Sequence, residues 1–86
     1  MVATTSKMLA HLIREFRYEK NLSQSDLAEI AAVKQATISA FENSPDSTKL
    51  ETFFKILYAL ELELVVQPRP KGGLPSGLDE NGEEIW

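Results

Sequence analysis

Two short segments with helical apolar spacing, Leu22–Ala31 and Gln35–Asn43, are separated only by Ala32–Lys34, and this limits the fold more than any other feature. The first opens on Ser23, a good N-cap, with Asp26 three positions on as the acidic partner of a capping box. Leu22 and Leu27 occupy the two positions of a hydrophobic staple, so the direction in which the chain enters the helix is specified. The apolar positions continue through Leu27, Ala28, Ile30 and Ala31. The break at Ala32–Lys34 holds no proline and is too short for two helices to turn antiparallel and pack along their lengths. They must cross steeply, which is a helix-turn-helix arrangement. Ala28, Ala31, Ala32 and Ala36 let the two backbones approach closely.

The flanking segments complete a helical domain. A helix is expected from about Thr5 to Lys20, with Met8, Leu9, Leu12, Ile13 and Phe16 on its core face. Lys7 and Arg14 project on the opposite face, Arg17 lies at its flank, and Asn21 closes the segment. After the turn cluster Ser44-Pro45-Asp46-Ser47, another helix should begin near Thr48, with Glu51 completing a second capping box. Leu50, Phe53, Phe54, Leu57 and Leu60 form its core stripe. The period then changes: Leu62, Leu64 and Val66 alternate through Leu62–Gln67 as a short strand. A lone strand leaves its backbone donors and acceptors unpaired and invites a second chain. The expected fold is therefore mainly α, a four- to five-helix repressor-like domain with one C-terminal strand pairing across a homodimer. Leu62, Leu64, Val65 and Val66 are its expected interface. Residues 1–67 make the domain, and residues 68–86, rich in Pro, Gly and acid, a disordered tail.

Charge and composition narrow the function. The net charge of −4 arises beyond the helices, where Glu61, Glu63, Asp79, Glu80, Glu83 and Glu84 outnumber Arg69 and Lys71. Residues 1–55 are balanced, and a neutral body can still carry a basic face toward nucleic acid. A chain of 86 residues is marginal as a single core, which again favours a partner subunit. There is no cysteine, His11 is the only histidine, and no carboxylates stand at a recognised catalytic spacing. An enzyme is not expected, nor a metal site or cofactor. The N-terminal stretch has no apolar run of signal-peptide or membrane-spanning length, so a cytoplasmic location is expected and a membrane partner is not.

The second helix of the tight pair carries the candidate recognition face. On a helical wheel Gln35, Ala36, Ser39 and Asn43 share one arc, while Thr37, Ile38 and Phe41 point elsewhere. Gln and Asn can contact adenine through two hydrogen bonds, Ser adapts to either edge, and an alanine methyl packs on a thymine methyl. Lys34, just before the helix, reaches a guanine edge or a phosphate, and Glu42 lies off the arc. Gln24 and Ser25, in the first turn of the preceding helix, are candidate phosphate contacts, with Thr37 and Asn43 as further ones. The same residues would also serve as ordinary caps and solvated polar positions.

The run LSQSDLAEIAAVKQATISAFEN, residues 22–43, resembles the large phage-repressor-like (XRE) helix-turn-helix family. Its marks are Gln24, Leu27-Ala28, the Gln35–Ser39 segment and Phe41-Glu42. The longer stretch KQATISAFENSPDSTKLETFFKILYALELEL, together with a terminal Trp86, is similar to the HipB-type antitoxin family. That resemblance implies a dimeric antitoxin that represses its own promoter at a palindromic operator and holds a HipA-type protein kinase toxin inactive. It implies that Lys34, Gln35, Ala36 and Ser39 read bases; separately, Trp86 ends an acidic tail where it has no core to join, and because tryptophan often anchors interfaces it is a candidate toxin contact. Ala40 stands where other members carry a larger polar residue, so the operator sequence need not be shared. A stand-alone prophage-type repressor and a pure interaction module remain open as alternatives to the toxin-linked role.

Overall fold

A computed structural model describes residues 1–69. The expectations for the tail beyond Arg69, including the toxin contact at Trp86, lie outside the described residues. The chain forms α1 (Ser6–Glu19), α2 (Gln24–Ala31), α3 (Gln35–Asn43), a 3-10 turn at Pro45–Ser47, and α4 (Leu50–Ala59). None of these helices is long and apolar enough to cross a membrane.

The helix starts follow from their caps. The Thr5 hydroxyl accepts from the Met8 amide at 3.0 Å, starting α1. At α2 both halves of the capping box form: the Asp26 amide donates to Ser23 Oγ at 3.0 Å, and the Ser23 amide donates to Asp26 Oδ2 at 2.9 Å. Hydrogen bonding from Ser23, its backbone amide foremost, holds the Asp26 carboxyl below the usual carboxylate range. Ser23→Ala should lower stability by about 1 kcal/mol, read as a reduced urea midpoint. A midpoint within error of the parent would mean that the staple alone sets this helix start.

The helix ends share one device. Asn21, Ala32 and Glu61 adopt left-handed backbone, with φ of 56°, 60° and 59°. After each, the next amide reaches back into the helix: Leu22 to Arg17 at 3.1 Å, Val33 to Ala28 at 2.9 Å, Leu62 to Leu57 at 2.8 Å. Leu22, Val33 and Leu62 then pack against the core, the apolar contact that accompanies this type of C-terminal closure. At Ala32 the device makes the turn of the helix-turn-helix, at a steric cost that glycine would avoid.

Leu27, Ile38, Ile56 and Leu60 are fully buried at the centre of the core. Ala10 and Ile13 of α1 and Phe41, Phe53 and Leu57 surround them, and the Phe41 and Phe53 rings stack with centroids 6.1 Å apart. Several expectations change here. The second capping box does not form: α4 begins at Leu50 with Lys49 as its N-cap and no side-chain cap bond. Met8, Leu50 and Phe54, read as core, are exposed, whereas Ile56 is fully buried. Along α4 the apolar residues nearly encircle the helix, so neighbouring elements decide which of them are covered. Leu50, Phe54 and Tyr58 instead form an outward apolar strip, and Phe54 and Tyr58 share a shallow groove with Ile30. Residues 62–69 carry no secondary structure, because within this chain the segment has no strand to pair with. Leu62 is half-buried against its own core, while Leu64, Val65 and Val66 are exposed.

Candidate nucleic-acid interface

The sequence places Gln35, Ala36, Ser39 and Asn43 on one arc, and the structure leaves that arc uncovered. Gln35, Ala36 and Asn43 are exposed and Ser39 is half-exposed, with Ala40 open beside them. Ile38 and Phe41 anchor the opposite side of α3 in the core, so the helix presents this face as a rigid element. Lys34 is exposed at the N-cap of α3 and forms no side-chain cap bond. Thr37 is half-buried in the first turn.

Three hydrogen bonds organise the face. The Ser25 hydroxyl donates to Gln35 Oε1 at 2.9 Å, joining the first turns of α2 and α3. Asn43 Nδ2 donates to the Ser39 carbonyl at 2.9 Å and to Ser39 Oγ at 3.2 Å, ordering the far end of the arc. Lys7 lines a cleft between the start of α1 and the α3–α4 connection, beside Asn43, Ser44 and Asp46. The Ser6 hydroxyl closes one side of it by donating to the Asp46 carboxylate. Lys49 is exposed where α4 begins.

Behind the face lies a polar cluster that periodicity did not reveal. Arg17, read as flanking, is buried, and its guanidinium grips Glu42 through Nε at 2.7 Å and Nη2 at 3.0 Å. Its Nη1 donates to the Leu22 carbonyl at 2.8 Å. Gln24 Nε2 donates to Glu42 Oε1 at 3.1 Å, and Arg14 Nε lies 3.9 Å from the same oxygen. The Glu42 side chain is only 2% exposed. Burial pushes its carboxyl upward, but hydrogen bonds from Arg17 and Gln24 and the charges of Arg17 and Arg14 outweigh this and hold it below its ordinary value. The hydrogen bond to Glu42 correspondingly raises Arg17, against the opposing effect of burial. The cluster ties α1, the start of α2 and the end of α3 together, and so sets the attitude of the exposed arc. It also turns the Gln24 side chain inward, onto Glu42.

Among the described residues, no group of His, Asp and Glu side chains could hold a metal. What the face offers is hydrogen-bonding side chains, small methyls and a lysine on a firmly seated helix, which is suited to reading a groove rather than to catalysis.

The helix-turn-helix family model matches residues 13–66. The chain is 50% identical over 58 residues to Antitoxin HipB of Escherichia coli strain K12 and to that of strain CFT073, a span of 67% of this chain. It spans 66% and 62% of those relatives' own lengths, just under two thirds. Among solved structures it superposes on a chain of the HipA–HipB–O2–O3 complex with a TM-score of 0.78 and 41% identity. That match covers 81% of this chain and 99% of the other.

Proposed function

Because the chain belongs to the helix-turn-helix family of phage-repressor type, with HipB antitoxins among its relatives, we propose that it is the antitoxin and autorepressor of a toxin–antitoxin pair. It acts in the cytoplasm as a homodimer, without cofactor and without catalysis. The dimer binds a palindromic operator in its own promoter and neutralises a HipA-type Ser/Thr protein kinase. The observation that carries the DNA-binding part is the uncovered arc of α3, polar and small, seated on a buried ionic cluster.

Lys34, Gln35, Ala36 and Ser39 read bases in the major groove. The first turn of α2, at Gln24 and Ser25, together with Thr37 and Asn43, meets the phosphate backbone, and Lys7, Arg14 and Lys49 add positive charge around it. The exposed apolar residues support the dimer. Leu64, Val65 and Val66 are uncovered in a segment without secondary structure, and the strip Leu50, Phe54 and Tyr58 with Ile30 adds apolar surface that a monomer seldom leaves bare. Pairing Leu62–Gln67 with its copy satisfies the segment's backbone and places the two recognition helices about 34–36 Å apart, one DNA turn.

The test is a mobility-shift titration on DNA from the region upstream of its own gene, with and without the HipA-type kinase encoded beside it. Specific, salt-sensitive binding that tightens with the kinase is expected. Binding indifferent to the kinase marks a repressor acting alone, and absence of specific binding removes the DNA role. In the same assay Gln35→Ala should weaken operator binding by about 1–3 kcal/mol and relax selectivity at one base pair. An unchanged ratio of operator to random DNA would mean that Gln35 does not read bases.

A further inference from the structure

We propose that Asn43 is a positioning residue that fixes the polarity of Ser39, making its hydroxyl a donor to the base it reads. The inference rests on the base-reading role of Ser39 given above. The two side chains stand one turn apart on the uncovered arc of α3. Asn43 Nδ2 donates to Ser39 Oγ at 3.2 Å and to the Ser39 carbonyl at 2.9 Å. Ala36 and Ala40, both exposed, flank Ser39, so their small methyls leave its oxygen open to a base edge.

A serine hydroxyl holds one hydrogen and accepts through two lone pairs, so left to itself it reads donors and acceptors alike. The bond from Asn43 removes that indifference. With one lone pair of Oγ facing Nδ2, the hydroxyl hydrogen must point elsewhere, and no described residue accepts it. A base acceptor placed there completes the hydroxyl. A base donor would instead be the second donor onto one oxygen and would leave the hydrogen without a partner. Accepting from Asn43 also polarises the O–H bond and strengthens it as a donor.

The same bonds take the Asn43 side chain off the phosphate backbone, where its place on the helix alone would put it. Nδ2 has two hydrogens, and the Ser39 carbonyl and hydroxyl take both. What remains is Oδ1, which only accepts, and a phosphate oxygen at neutral pH has no hydrogen to give it. In the major groove the acceptors are the purine N7, guanine O6 and thymine O4, and the donors are the amino groups of adenine and cytosine. Ser39 therefore reads one of the acceptors and not an amino group. Order present before DNA arrives need not be imposed on binding, so the discriminating contact is stronger.

The experiment measures binding to an operator set in which each base pair of one half-site is varied in turn. The proteins are the parent, Ser39→Ala, Asn43→Ala and the double variant, each as the full chain. Ser39→Ala should flatten the preference at one position. Asn43→Ala should reduce the preference at that same position by about three- to tenfold, the factor equivalent to one ordinary hydrogen bond. It should have no further effect there once Ser39 is alanine. Base analogues at that position then test polarity on each strand in turn. Deleting a groove acceptor, with a 7-deazapurine or a thymine lacking O4, should weaken the parent and not Ser39→Ala. If only deletion of an amino group does so, Ser39 accepts and the donor assignment is wrong. If Asn43→Ala weakens every sequence equally and leaves the preference intact, Asn43 is a backbone contact and the positioning role is wrong. If Ser39→Ala flattens no position, the base-reading role of Ser39 fails first, and the role of Asn43 falls with it. Thermal midpoints matching the parent would exclude a folding defect as the cause of any of these results.

Discussion

Glu42→Ala should lower the free energy of unfolding by about 3–5 kcal/mol, the loss expected when one partner of a buried ion pair is deleted. The guanidinium of Arg17 is buried, and two of its three hydrogen bonds to protein end on Glu42. Removing the carboxylate strands this charge and leaves the amide of Gln24 without its acceptor. For a small domain, whose whole stability is on the order of 5–15 kcal/mol, that is a large fraction. Urea denaturation at neutral pH measures it. A loss below about 1 kcal/mol would mean that the pair behaves like a surface bridge and that water replaces Glu42 readily. The double variant Arg17→Met with Glu42→Leu provides the contrast, because exchanging both charges for apolar groups of similar bulk is often neutral or stabilising. If the double variant is stable yet binds DNA poorly, the cluster serves to orient α3 more than to hold the fold.

The same carboxyl predicts an acid sensitivity. Its folded value lies below the ordinary one. Its contribution is therefore complete above the usual carboxylate range and is lost as pH falls through the lower folded value. Acidification below that range should unfold the parent with uptake of a proton at Glu42. Glu42→Gln should be less stable at neutral pH and show a flatter stability profile through the acidic range. A profile of unchanged slope would place the responsible carboxylate elsewhere.

Val65→Pro should abolish dimer formation and reduce operator affinity by about a hundredfold or more, the scale of advantage from linking two half-site contacts. Proline removes an amide from the segment and fixes φ, which a strand paired across two chains does not tolerate at an interior position. Val65 is exposed in the single chain, so the folded monomer should be unaffected, and far-UV circular dichroism should remain that of the parent. Sedimentation velocity and a mobility shift on the same samples give both readouts. A variant that stays dimeric would assign the interface to the outward strip of α4, at Leu50, Phe54 and Tyr58. A variant that is monomeric with undiminished operator binding would show that one helix-turn-helix unit suffices.

The sequence by itself determined the helices and the uncovered arc of α3. The Ser23–Asp26 capping box, the short break at Ala32–Lys34 and the turn at Ser44–Ser47 are local signals, and the structure realises each within a residue or two. The arc Gln35, Ala36, Ser39 and Asn43 was legible because a helix spaces its faces regularly and because Ile38 and Phe41 commit the other side to the core. Three things needed the tertiary structure. Periodicity assigns charged residues to solvent, so Arg17 and Glu42, on α1 and α3, gave no sign of pairing inside the domain. Ala32 and Glu61 take a left-handed turn without glycine, because packing of Val33 and Leu62 behind them compensates for the local cost. On α4, where apolar residues surround the helix, only the positions of its neighbours could bury Ile56 and leave Phe54 in the open. Local hydrogen bonding and spacing act within a few residues and can be read along the chain. Burial of a charge, or of one side of an all-apolar helix, depends on what lies opposite in space, and that is settled only when the helices pack.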